Sequence, residues 1–164
     1  MNATNMTTPH TPAQRVVRQV LGAAEVDCPV ADGALTLLRM FTGFALAFGH
    51  GLGKLPPSEK FVATVANLGF PAPGLFAWAA ALSELGGGLL LALGLATRPA
   101  ATAVAFTMLV AAVGQHWSDP FAKKELALLY GAIALAFVLL GSSRFGLDRL
   151  ARRALGFSEL STTT

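Results

Sequence analysis

The chain has 164 residues, of which 54% are hydrophobic and only 13% are charged, and its mean hydropathy is +0.58. A soluble domain is about 25% charged, so this composition excludes an ordinary soluble fold and predicts that lipid surrounds much of the chain. The net charge of +3 does not indicate nucleic-acid binding, because the basic residues lie at the ends of apolar segments, as membrane topology requires. The single cysteine, Cys28, excludes an intrachain disulfide and any CxxC redox or zinc motif.

The first 33 residues precede the apolar part of the chain and are predicted to be a partly disordered cytoplasmic segment. Within it, residues 11–22 form a candidate amphipathic helix, because Val16, Val20 and Leu21 make an apolar stripe beside Arg15 and Arg18. Residues 146–164 are predicted to be a basic tail that begins with a similar short amphipathic helix. Both helices are expected to lie on an anionic membrane surface, and binding to a soluble partner is the alternative.

Four apolar segments meet or approach the roughly 20 residues that a helix needs to cross the hydrocarbon core of a bilayer. Proline-containing or glycine- and serine-rich turns separate them, and Pro56-Pro57 stops the first one. We therefore predict an all-α fold, an integral membrane four-helix transmembrane bundle over residues 34–145. Its spans lie at about 34–55, 75–97, 99–117 and 125–141.

The distribution of basic residues predicts the orientation of the bundle. An even number of spans puts both termini on one side of the membrane, and seven arginines lie on that side against four lysines on the other. Because basic residues favour the cytoplasmic side, both termini are expected in the cytoplasm. The arginines are Arg15, Arg18, Arg98, Arg144, Arg149, Arg152 and Arg153, and the lysines are Lys54, Lys60, Lys123 and Lys124.

Glu84 is the only ionisable residue between Leu75 and Thr97, in the middle of the second span. Charged side chains at bilayer depth cost about 2.5–3.5 kcal/mol on insertion scales, so they usually face a bundle interior and often mark a functional site. Glu84 is nine residues into the span, which places it roughly 13 Å from the outer end.

The first span carries candidate partners for Glu84. Arg39 and His50 are eleven residues apart, three helical turns plus roughly 20°, and Lys54 follows one turn later, so regular helix would place all three on one stripe. His116 ends the third span and Glu125 begins the fourth. We predict a polar pocket in the outer half of the bundle, with Glu84, His50 and His116 as catalytic candidates and Arg39, Lys54 and Glu125 as substrate-binding candidates. No metal site is predicted.

Structural roles compete with these assignments. Glu84 could form an ion pair with His50 or Lys54 that only specifies the fold, and the two histidines could be hydrogen-bonded packing residues. Lys54 and Glu125 could extend to the membrane interface.

Several motifs in this order resemble a known family. They are Leu37-Leu38-Arg39, His50-Gly51-x-x-Lys54, Ser83-Glu84-Leu85-Gly86-Gly87-Gly88-Leu89-Leu90-Leu91, Lys124-Glu125-Leu126 and Arg144-Phe145-Gly146-Leu147-Asp148. Over about residues 34–150 the chain resembles the DoxX family of small four-helix bacterial inner-membrane proteins. It is similar to the DoxD subunit of thiosulfate:quinone oxidoreductase. The resemblance implies a bacterial cytoplasmic membrane location and redox or sulfur chemistry.

Two functions follow from the pocket and the resemblance. In the first, the chain is a membrane redox subunit whose pocket binds a quinone or a small sulfur compound, with electrons coming from a redox partner or from the bound substrate. In the second, it is a non-catalytic membrane anchor or assembly partner for soluble redox enzymes. A small-solute pathway is a third interpretation and would require a homo-oligomer.

Overall fold

The computed structural model describes residues 28–154. This range is all-α, as predicted, with six helices and no strand. The predicted helix at residues 11–22 lies outside it. The helices are α1 Pro29–Lys54, α2 Glu59–Asn67, α3 Pro73–Leu93, α4 Thr97–Gln115, α5 Phe121–Leu140 and α6 Leu147–Ala154.

Four long helices form the bundle. Three of them, α1, α3 and α4, have 26, 21 and 19 residues and are long and apolar enough to cross a membrane. The fourth, α5, has 20 residues and carries Lys123, Lys124 and Glu125 in its first turns. It packs along α4, where Val104 and Met108 meet Ala134 in one apolar cluster and Ala101 meets Phe137 in another.

Helix α1 begins at Pro29, five residues before the predicted start of the first span. Proline is well suited to a first helical turn, because the amide hydrogen that it lacks would have no intrahelical acceptor there. The early start places Asp32 inside the helix, where it is 2% exposed. Its carboxylate accepts a hydrogen bond from the backbone amide of Arg144 at 3.2 Å.

Helix α2 was not predicted. Its N-cap is Ser58, whose hydroxyl accepts a hydrogen bond from the amide of Phe61 at 3.3 Å, and Glu59 follows in the first turn, where a negative charge is favourable. Phe61, Val65 and Leu68 recur at helical spacing and face the long helices. The short α2 covers the side of the bundle formed by α3 and α4.

The connection between α3 and α4 defines one end of the bundle, called here the hairpin end (residues 94–97). Gly94 has φ of 66°, and a side chain there would overlap the guanidinium of Arg39, so only glycine fits. Asp148, the second residue of α6, accepts hydrogen bonds from the amides of Ala96 and Thr97 at 2.6 and 3.1 Å and from the Thr97 hydroxyl at 2.8 Å. Asp148 thereby caps α4 and fixes α6 to the bundle.

Each of the three apolar spans contains a π-helical turn. The turns are Ala47–Gly51 in α1, Ser83–Gly87 in α3 and Val110–Gln115 in α4. The first two pack against each other. Hydrogen bonds from residue i to i+5 put more residues into each turn, so side chains beyond a π turn leave the face that a regular helix predicts.

Glycines bring α1 and α3 into backbone contact. A Cβ on Gly43 would overlap the carbonyl oxygen of Gly88 and would lie 2.8 Å from the Cβ of Ala92. Nearer the other end, a Cβ on Gly51 would lie 2.7 Å from the Cα of Leu85. Small residues allow such close approach between membrane helices, where packing rather than water exclusion drives association.

We expect Gly43→Ala to destabilise the bundle, because the added methyl must push α1 away from α3. Overpacking of this kind costs about 1–3 kcal/mol. The measurement is the apparent melting temperature of the purified protein in detergent. The matched control is Gly33→Ala in the same helix, where nothing lies within 4 Å of the added Cβ. Equal melting temperatures for the two variants would contradict the close contact.

Candidate functional site

Glu84 lies in the π turn of α3 and forms an ion pair with Lys54 at the end of α1. The Lys54 Nζ atom lies 2.5 and 2.7 Å from the two carboxylate oxygens of Glu84. Glu84 is only 2% exposed, whereas the Lys54 side chain is 35% exposed. The close packing of Gly51 on Leu85 brings the two residues to this distance. The carboxylate is therefore buried with a partner that remains accessible.

The ion pair forms one wall of a cavity of about 310 Å³ between α2, α3 and α4. Most of the cavity surface is apolar, and four phenylalanines supply a large part of it. The rings of Phe70 and Phe76 pack at a tilt of 38° with centroids 4.6 Å apart, and the Lys54 ammonium lies 5.5 Å from the ring centroid of Phe61. The four phenylalanines are Phe61, Phe70, Phe76 and Phe106.

A second set of polar groups completes the cavity. The hydroxyls of Ser83 and Thr107 share a hydrogen bond of 3.0 Å, which joins α3 to α4 beside Glu84. Thr64 comes from α2, Gln115 ends α4, and His116 directly follows it. The site therefore combines an aromatic enclosure with a few polar groups, as small-molecule sites commonly do.

His116 is held in place by Asp119 in the loop after α4. The His116 Nδ1 atom lies 2.7 Å from an Asp119 carboxylate oxygen. An ionised carboxylate only accepts hydrogen bonds, so Nδ1 carries the hydrogen and Nε2 of the neutral ring can accept one. The hydrogen bond from His116 lowers the pKa of Asp119 below its ordinary value, and nearby Lys123 acts in the same direction. The pair thus resembles the arrangement by which proteins orient an acid–base histidine.

The six predicted site residues do not all come together. Glu84, Lys54 and His116 line the cavity, and His50, Arg39 and Glu125 do not. The His50 ring meets Tyr130 of α5 edge-on, with centroids 5.6 Å apart. Glu125 is exposed in the second turn of α5.

Arg39 lies at the hairpin end and is 1% exposed. Its Nη1 atom donates to the carbonyl oxygens of Leu91 and Ala92 at 2.7 and 3.2 Å. These carbonyls belong to the last turn of α3, which carries the negative end of the helix dipole, and the Leu91 carbonyl also accepts a hydrogen bond from the Gly94 amide at 3.1 Å. The predicted single stripe of Arg39, His50 and Lys54 assumed a regular helix, and the π turn at Ala47–Gly51 followed by a 3₁₀ turn at Leu52–Lys54 changes that register.

Sequence reasoning missed several residues of the cavity. Asp119 follows His116 by three residues, and this spacing was a usable signal. Ser83 directly precedes Glu84, and Thr107 lies on α4, but nothing in the sequence pairs them. No cluster of three or more potential metal ligands among His, Cys, Asp and Glu occurs within residues 28–154.

Comparisons with known proteins give a consistent result. The model of the DoxX family matches residues 34–117. A protein of Bacillus subtilis (strain 168) named "Putative oxidoreductase CatD" is 36% identical over 115 residues, which cover 68% of this chain and 82% of that protein. No solved structure matches the chain.

We expect Lys54→Met to destabilise the protein much more than Lys60→Met, which removes an exposed lysine of α2. Without Lys54 the buried Glu84 carboxylate has no cationic partner among the described residues, and such a loss costs about 3–5 kcal/mol. The double variant Lys54→Met/Glu84→Met should regain most of this stability, since the buried charge is also gone. Thermal unfolding in detergent measures all three. A Lys54→Met variant as stable as Lys60→Met would show that Glu84 does not depend on this pair.

Proposed function

The chain belongs to the DoxX family of membrane proteins, and we propose that it is a redox subunit whose cavity binds a small molecule at the Lys54–Glu84 pair. The proposed ligand is a quinone, with a small sulfur compound as the alternative. The observation that carries the proposal is the buried ion pair in the wall of an aromatic cavity. The relative named as an oxidoreductase supports redox chemistry.

The size and lining of the cavity suit the ring of a quinone. Ligand sites usually have volumes of about 300–1,000 Å³, so 310 Å³ accommodates one substituted ring rather than a whole isoprenoid quinone. Phe61, Phe70 and Phe76 offer flat apolar surfaces for stacking. Exposed Phe106 on the α4 side gives an apolar tail a route to the surrounding lipid.

Three residues have the chemistry that the proposal requires. A bound quinone would supply a couple that takes up two electrons and two protons. The Lys54 ammonium can donate a hydrogen bond to a carbonyl oxygen, and Glu84 holds that ammonium in place. Lys54, Glu84 and His116 can each exchange a proton, as general acid–base catalysis requires. His116, oriented by Asp119, is 32% exposed and can pass protons to water.

Electrons must come from a partner protein or from a bound substrate, because the chain has one cysteine and therefore no dithiol couple of its own. Quinone binding distinguishes this proposal from the anchor function, which requires no ligand. The roles predicted for His50, Arg39 and Glu125 stay predictions. They are not part of this proposal, because these residues lie outside the cavity.

We expect the purified protein to bind a short-chain quinone such as a decyl-substituted benzoquinone, and Glu84→Gln to weaken that binding roughly ten- to hundredfold. The expected loss corresponds to one hydrogen bond with a charged group. Quenching of the intrinsic tryptophan fluorescence, or calorimetric titration, measures the dissociation constant. Thiosulfate and a persulfide, titrated separately, test the sulfur alternative.

The control is Glu59→Gln, which makes the same chemical change at an exposed carboxylate outside the cavity. It should bind quinone like the parent protein. Failure of the parent protein to bind any of these compounds would argue against the proposal. If cavity variants then kept full cellular function while deletion of residues 150–164 abolished it, the anchor function would be favoured.

We also propose that the bundle lies in the bacterial cytoplasmic membrane with four crossings and both termini in the cytoplasm. Arg98 at the hairpin end and Arg149 and Arg153 of α6 are on the side of Cys28, whereas Lys60 and Lys123 are on the other side. The excess of arginine supports the orientation, by the positive-inside rule.

Cys28 is exposed and is the only cysteine, so it reports the orientation without engineering. In intact spheroplasts, a membrane-impermeant maleimide should leave Cys28 unlabelled and should label it after permeabilisation. The control variant Cys28→Ser/Ser118→Cys moves the thiol to the exposed loop between α4 and α5, and it should react in intact spheroplasts. Labelling of Cys28 in intact spheroplasts would contradict the proposed orientation and indicate that the N-terminal end of α1 faces the outside.

A further inference from the structure

We propose that the hairpin end of the bundle is a docking surface for the headgroups of anionic phospholipids, formed by α6 and the segment that precedes it. This proposal does not depend on the cavity or its ligand. It rests on three observations: the attachment of α6 to the bundle, the distribution of apolar and basic residues around α6, and the burial of the acidic residues near it.

The attachment of α6 is rigid. The Asp148 carboxylate has no exposed surface and accepts three hydrogen bonds from Ala96 and Thr97, while the Asp148 amide donates to the carbonyl of Gly94 at 2.8 Å. Thr36 and Ser143 join the preceding segment to α1 through a hydroxyl contact of 2.6 Å. The exposed faces of α6 are therefore held in a fixed direction relative to the membrane-spanning helices.

The faces of α6 are strongly segregated. Leu147 and Leu150 lie on one side of the helix and are 36% and 58% exposed, next to Phe145, which is 69% exposed. Arg149 and Arg153, four residues apart, lie together on another side and are exposed. Exposed leucine and phenylalanine beside paired arginines is the pattern of a helix that lies in the membrane interface.

Within residues 28–154, the acidic residues at this end do not neutralise the arginines of α6. Among the described residues, the carboxylates near the hairpin end are Asp32 and Asp148, and both are buried and engaged by backbone amides. Their negative charge is therefore compensated by hydrogen bonds inside the protein. The accessible surface around α6 therefore presents positive charge next to an apolar strip, which complements a phosphate headgroup above an acyl chain.

Native mass spectrometry of the protein in neutral detergent tests this inference. Phosphatidylglycerol and phosphatidylcholine with identical acyl chains are titrated separately, and the dissociation constant of each lipid is measured. The parent protein should bind phosphatidylglycerol more tightly. Each basic residue near an anionic lipid surface contributes about fivefold to affinity, so Arg149→Gln/Arg153→Gln should weaken phosphatidylglycerol binding roughly 25-fold. Phosphatidylcholine binding should not change.

The matched control is Lys60→Gln/Lys123→Gln, which removes two exposed charges at the opposite end and should keep the lipid preference. Arg153→Gln alone should give about a fivefold loss and remains informative if the double variant folds poorly. Equal affinity of the parent protein for both lipids, or the same loss in the control, overturns the proposal. Displacement of phosphatidylglycerol by an equal concentration of inorganic phosphate would also overturn it, because the site would then be one for free anions.

Discussion

Burial of the Glu84 carboxylate constrains the arrangement of the helices around it. A charge in the apolar interior of a membrane bundle requires a partner at hydrogen-bond distance. Lys54 is that partner, and it belongs to a different helix, so α1 and α3 must approach within contact of their backbones. Gly43, Gly51 and Gly88 make this approach feasible because any Cβ at these positions would overlap the opposite helix. The glycines and the ion pair therefore both depend on close contact between α1 and α3.

The π-helical turns are part of the same arrangement. The turn at Ser83–Gly87 contains Glu84, and the turn at Ala47–Gly51 packs against it and leads to Lys54. The third turn, Val110–Gln115, ends directly before His116. Single π turns within helices are rare and frequently occur at functional sites, because they redirect side chains at little cost to the rest of the helix. Three of them near one cavity support a functional role for it.

The sequence predicts the general architecture well because hydropathy and helix-breaking residues are local signals. The low charge content predicted a membrane protein. Glu84 stood out because no other ionisable residue lies between Leu75 and Thr97, and it is buried in the structure. The faces of α1 could not be predicted, since a π turn is invisible to a calculation that assumes 100° per residue. For this reason His50 was placed with Lys54, although it contacts Tyr130. Helix α2 was overlooked because nine amphipathic residues do not stand out in a search for spans of about 20 residues.

Charged side chains are buried at both ends of the bundle, and their access to the cavity differs between the two ends. At the hairpin end, Asp148 has three donors and no exposed surface, and Arg39 caps the carbonyls of α3. The Nε atom of Arg39 is buried without a hydrogen-bond partner among residues 28–154, but neither Arg39 nor Asp148 lines the 310 Å³ cavity. In the described part of the chain, the Glu84 carboxylate has hydrogen bonds from Lys54 alone, and the pair borders a cavity.

Unsatisfied polar groups are costly at low dielectric, and the Lys54 side chain avoids this cost because it remains 35% exposed beside the buried Glu84 carboxylate. The Lys54 ammonium has three hydrogens, and the contacts with Glu84 leave capacity for another acceptor beside an aromatic space. A ligand with a carbonyl or anionic oxygen would complete this coordination. A partly accessible ammonium that is paired with a buried carboxylate and borders a cavity is the physical reason for proposing a ligand at Lys54 and Glu84.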